Sequence, residues 1–173
     1  EEGLREAERI GTSEQVQWLR AECLWDEFLI GRWNEATAHA DEFLAEVEGG
    51  LPHYMEAPVR EVRAMIRLAA GDGTGALHDT VRVLALTRAA EDPQVLFPGL
   101  VYRSHVLIAT GRRADAVPLV DELLERLRSS RSSLVSYWAI PLAVALTRLG
   151  RPSELEGVVQ NATMRNRWLD AAR

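Results

Sequence analysis

The sequence predicts an all-α chain, an α-α superhelix of about four helical hairpins with a repeat of about 40 residues. Three observations lead there. Glycine returns at one interval, as Gly31, Gly71 and Gly111, and then as Gly150 after a one-residue deletion. Five residues beyond these glycines stand Ala36, Ala76, Ala116 and, in the last copy, Leu155, while Leu44, Leu84 and Leu124 follow the first three at thirteen. The segments on either side of each glycine carry apolar residues at three-four spacing, the period of one helix face rather than the alternation of a strand. One hairpin of this size cannot bury its own apolar face, so successive copies must stack.

Taken in order, Leu4 lies one period before Leu44, so residues 1–9 read as the end of an earlier second helix. The first hairpin, 14–50, runs through WLRAECLWDEFLI to Gly31 and continues with Ala36, Ala40, Phe43, Leu44 and Val47 on one face. The second, 54–90, brings VREVRAMIRLAA to Gly71, and the third, 95–130, brings LVYRSHVLIAT to Gly111. The fourth, 134–168, brings YWAIPLAVALTRL to Gly150. Each first helix thus meets a glycine, the residue that most readily closes a helix in the left-handed conformation. EGGLPHY, EDPQVLFPG and RSSRSS supply the breakers between hairpins. Pro118 falls near the start of its helix and costs little there, whereas Pro141 lies deeper and predicts a kink or a late start. The chain reads as a single helical-repeat domain, 1–173. Its opening on Glu1-Glu2 and its close on RWLDAAR, still in helical pattern, lead us to expect a piece of a longer protein.

Composition limits the chemistry. The 173 residues are 47% apolar and 27% charged, enough for a sizeable core. All 20 basic residues are arginine, and the net charge of -6 argues against direct, sequence-independent binding to nucleic acid. No apolar run of about 18 residues is present, so no membrane span is expected. The lone Cys23, inside an apolar helical pattern, reads as a core residue in a reducing, cytoplasmic setting. His39, His53, His78 and His105 lie in separate repeats or loops, with neither an HExxH motif nor an i,i+4 pair, so no metal site is expected. The segment AGDGTGA, 70–76, lacks the closing Lys and Ser/Thr of a phosphate loop, and the repeat register assigns it to the inter-helix turn. No nucleophile, base and orienting acid assemble from the sequence. We therefore expect no enzyme and no cofactor.

The stretch GRWNEA, with Gly31, Trp33 and Ala36, resembles the tetratricopeptide repeat: glycine at the hairpin turn, an aromatic residue two on and a small residue five on. The other copies replace the aromatic with Gly73, Arg113 and Pro152, and the period exceeds the usual ~34 residues. The longer period looks like the helical superhelix at the C-terminal side of large bacterial signalling ATPases, such as maltose-activator-like transcription regulators and cyclase-linked ATPases. The closing RNRWLDAAR is similar to the start of a further hairpin in such chains.

The resemblance implies a non-catalytic protein-interaction or scaffold module whose concave groove, lined by the first helix of each hairpin, binds a peptide, a partner protein or another domain of its own chain. It also allows an effector-sensing domain of a signalling ATPase, or a spacer or oligomerisation segment, including a homodimer. Carried onto this sequence at 13, 10, 6 and 3 residues before each glycine, the groove positions include Trp18, Trp25, Phe28, Met65, His105 and Tyr137. Ala21, Pro58, Glu61, Leu68, Pro98, Val101, Ile108, Ile140, Val144 and Thr147 complete the set. Gly31, Ala36, Gly71, Ala76, Gly111, Ala116 and Gly150 are the structural positions. Arg20, Arg60, Arg63, Arg67 and Arg103 also fall on first helices. They are expected to be solvated and paired with Glu22, Glu27 and Glu61, or else to clamp an anionic group on a partner.

Overall fold

A computed structural model describes residues 2–50, 52–129 and 134–156. The described residues are helical and contain no strand. They comprise α1 (Glu2–Ile10), α2 (Ser13–Leu29), α3 (Trp33–Glu48), α4 (Glu56–Ala69), α5 (Gly73–Ala90), α6 (Pro93–Ala109), α7 (Arg113–Ser129) and α8 (Leu134–Leu149). A further helical turn begins at 154–156. In chain order α2 and α3 flank Gly31, α4 and α5 flank Gly71, α6 and α7 flank Gly111, and α8 precedes Gly150; residues 157–173 of the expected fourth hairpin lie outside the described residues.

The glycine register has a backbone cause. Gly31, Gly71, Gly111 and Gly150 all have φ between 79 and 85°. In each turn the glycine N–H and the following N–H reach back to carbonyls of the last helical turn, as Gly31 N to Phe28 O at 3.2 Å and Arg32 N to Glu27 O at 2.8 Å. Arg112 N to Leu107 O and Arg151 N to Leu146 O repeat the second bond at 2.8 Å. This double closure satisfies two otherwise open carbonyls and needs a left-handed residue, which glycine adopts without a Cβ penalty. Helix starts are also written locally. Thr12 and Gln15 exchange hydrogen bonds in a capping box before α2, and Asp92 caps α6 with Pro93 behind it. Asp72 accepts from Gly75 N at 2.8 Å. That bond explains the glycine-rich AGDGTGA: a side chain at Gly75 would collide with the Asp72 carboxylate.

The chain divides into two compact units, residues 1–89 and 90–173. In the first, α2 packs on α1, α3 and α4, and α3 packs on α4. Its core joins Leu24 of α2, Ala36, Ala40 and Leu44 of α3, and Val59 and Val62 of α4, each at most 1% exposed. Burying each of the larger apolar side chains contributes about 1.5–3 kcal/mol before entropy is counted. In the second unit, α6 packs on α7 and α8, around Leu100, Leu107, Leu123, Leu124, Leu142 and Leu146. The small residues five beyond the glycines, Ala36, Ala76 and Ala116, are fully buried, whereas Leu155 is half-buried. α8 runs from Leu134 to Leu149 across Pro141, so the helix does not start late.

Candidate partner-binding surface

Four of the six proposed groove residues lie in the first unit, where aromatic rings gather along α2. Trp18 is 41% exposed and stacks on Tyr54, two residues ahead of α4, with ring centres 5.5 Å apart and planes 3° from parallel. Trp25 meets Phe28 edge to face at 5.9 Å, and Phe28 stacks on Trp33 at 6.2 Å. Trp33 also donates from Nε1 to the Phe28 carbonyl at 3.0 Å. The aromatic of GRWNEA therefore fastens the turn as well as contributing a half-open ring. Trp25 and Phe28 are half-buried and pack against the first unit's core. Met65 is half-buried on α4.

The second unit departs from the expectation. His105 is only 9% exposed and lies within hydrogen-bonding distance of the Pro141 carbonyl, its Nε2 at 2.8 Å, so it is an interior residue rather than part of an open groove. Burial and the nearby Arg148 lower its pKa, and the Pro141 bond opposes them only in part. Pro98, Val101 and Ile108 are buried with it. On α8, Ile140 and Val144 are 69% and 37% exposed. Tyr137 is in α8, but its side chain lies outside the described residues. The cause is clearest in the column ten residues before each glycine. Ala21, Glu61 and Val101 are at most 2% exposed, so in α2, α4 and α6 helix rotation turns that column into the core, whereas Ile140 of α8 keeps it open.

Arg60 and Arg63 of α4 are buried and Arg67 is half-buried, contrary to the sequence expectation of a solvated stripe. Arg60, Arg63 and Arg67 recur at three-four spacing on one face and converge on Asp79 of α5, which has no exposed surface. Arg63 places Nη2 2.6 Å from Asp79 Oδ1 and Nε 3.0 Å from Oδ2; Arg67 Nη1 adds a bond of 2.8 Å and Arg60 Nη1 one of 3.3 Å. Arg63 also holds Asp41 of α3 at 2.6 Å, and Arg60 reaches Glu48 and Glu56. Burial opposes the charge on Glu56, but Arg82 and Arg60 outweigh it and keep the carboxyl below its ordinary range. Glu61 pairs with none of them. It is 2% exposed, its Oε1 has no hydrogen-bond partner, and burial pushes its pKa well above the ordinary value.

Sequence reasoning missed Asp79. Eight residues past its glycine, it shares a register with Leu119, buried in the third hairpin, but also with His39, exposed in the first, so the register alone does not mark it as interior. Tyr54 carries no register signal either, because it lies in a loop outside the repeat.

Two crevices flank α2. Glu8, Arg20, Cys23, Glu27 and His39 line a cavity of about 230 Å³ among α1, α2 and α3. Within it His39 Nδ1 sits 2.9 Å from Glu27, while Arg20 comes no nearer than 3.7 Å to a carboxylate. Another, of about 360 Å³, lies among the start of α2, the end of α3 and residues 50–54. Among the described residues no three His, Cys, Asp or Glu side chains converge as metal ligands, and no helix is long and apolar enough to cross a membrane. No protein family, curated protein or solved structure compared with the chain matches it.

Proposed function

We propose that the chain is a non-catalytic protein-interaction module, a helical-repeat scaffold that binds a peptide or a partner protein through the first helices of its hairpins. One observation carries the reading: Trp18, Trp25, Phe28, Trp33 and Tyr54 crowd the α2 side of the first unit with Trp18, Trp33 and Tyr54 each at least 41% exposed. Open aromatic surface of this kind supplies much of the energy at binding interfaces. The tetratricopeptide resemblance, and with it a place in a larger signalling or transcription-regulatory protein, supports the same reading. A second reading, sensing of a small effector, is favoured by the cavity of about 230 Å³ with its underused Arg20 and its His39–Glu27 pair.

Selection from an unbiased peptide library, followed by affinity measurement, tests the interaction reading. Trp18 is the better probe because Trp25 is tied to the core. Trp18→Ala should weaken selected peptides about tenfold with an unchanged melting temperature; Trp25→Ala should lower both. Failure to select any peptide, or peptides indifferent to Trp18→Ala, would remove the basis of the reading.

A further inference from the structure

Charge is unevenly spread along the chain. Residues 1–55 hold thirteen acidic residues and four arginines. Glu14, Glu22, Asp26, Glu35 and Glu42 have no ion-pair partner among the described residues, although α2 and α3 carry Arg20 and lie beside the α4 arginines. Those α4 arginines are committed to Asp79, Asp41, Glu48 and Glu56, so they leave this acidity uncompensated.

The crevice of about 360 Å³ lies within this region. Its polar lining is Ser13, Glu14, Gln17, Glu46, His53 and Tyr54, with Phe43 and Val47 as apolar lining. Glu46 accepts from the Gln17 amide and keeps further acceptor capacity, since Arg20 stands 3.8 Å away. Tyr54 borders this crevice, while Trp18, on the other side of the stacked pair, borders an apolar hollow with Ala7, Ile10 and Leu19. Two carboxylates beside an aromatic face suit a guanidinium better than an ammonium, because the planar fork can bond carboxylates while lying against the ring. The adjoining hollow suits an apolar side chain.

We infer that this acidic crevice is a docking site for a basic peptide segment, with an arginine between Glu14, Glu46 and Tyr54 and an apolar residue beside Trp18. The inference rests on the interaction-module reading and names the partner chemistry. It is tested by fluorescence anisotropy of a labelled peptide of repeated Arg-Leu-Ser triplets at about 0.15 M salt, against matched peptides with lysine or uncharged citrulline in place of arginine. Binding is expected for arginine, should be weaker for lysine and should be lost for citrulline. Tyr54→Ala, which leaves the charge unchanged, and the pair Glu14→Gln with Glu46→Gln should each weaken binding about tenfold. The pair Glu22→Gln with Glu35→Gln, outside the crevice, should leave it unchanged. Melting curves of all variants separate lost binding from lost folding, and Tyr54→Phe, which keeps the ring, should retain affinity. No binding of the arginine peptide, or equal losses from both carboxylate pairs with none from Tyr54→Ala, would overturn the site; equal binding of lysine would overturn the guanidinium assignment. If library peptides free of arginine bind through Trp18 while the arginine peptide does not, this inference falls and the interaction module stands.

Discussion

Glu61 is the residue at which physical cost is most concentrated. Its carboxyl is buried without a partner for Oε1, and burial alone raises its pKa. A carboxyl whose folded pKa lies above its unfolded value of about 4.3 favours folding only while protonated. Its contribution is complete below that pH and is lost as pH rises through the folded pKa. Glu61→Gln keeps the shape and removes the titration. The stability gain of the variant should therefore be small near pH 4 and grow with pH to on the order of 1 kcal/mol or more near pH 8, read by urea unfolding at both ends. A gain independent of pH would show that the Glu61 carboxyl titrates alike in the folded and unfolded chain, and a loss that grows with pH would show it ionised and paired. Its burial was not legible: the register places it among open groove positions, and of its equivalents Ala21 and Val101 are buried while Ile140 is exposed. That an acid rather than an apolar residue occupies it gives no hint of what surrounds it.

Single helices show how local and tertiary terms divide. The ends of α2, α4, α6 and α8 follow from the glycines, and the starts of α2 and α6 from Thr12 and Asp92, because caps need only neighbours in sequence. The burial of α4 does not follow in this way. Its stripe of Arg60, Arg63 and Arg67 has the pattern of a solvated face, yet Arg60 and Arg63 are at most 8% exposed, because Asp79 of α5 and Asp41 of α3 meet it. Asp79→Asn removes the charge that three guanidiniums share and leaves them crowded in the interior. It should cost about 3–5 kcal/mol of stability in chemical denaturation, since breaking a buried ion network strands the remaining charges. A loss below about 1 kcal/mol would mean that water or local rearrangement satisfies the arginines instead.

Across the whole molecule the net charge of -6 hides an imbalance, for residues 1–89 carry seventeen acidic residues against nine arginines. Long-range repulsion from that surplus should keep duplex DNA unbound at micromolar chain concentrations and about 0.15 M salt, as checked by gel mobility shift. A retarded complex would reveal a basic face that the overall balance conceals. The sequence by itself determined that the described residues are helical, where the glycine turns fall and that small residues lie five beyond Gly31, Gly71 and Gly111. Each of these rests on local backbone geometry or on a periodic apolar face, and both repeat visibly along a chain. Only the tertiary structure decided which first-helix positions face outward. Trp18 is open, Trp25 and Phe28 are divided between surface and core, and His105 is interior, because a small rotation of each helix about its axis exchanges groove for core without altering the period. It also brought Tyr54 onto Trp18 and Asp79 under the α4 arginines, pairings between separate elements that no spacing within one helix encodes.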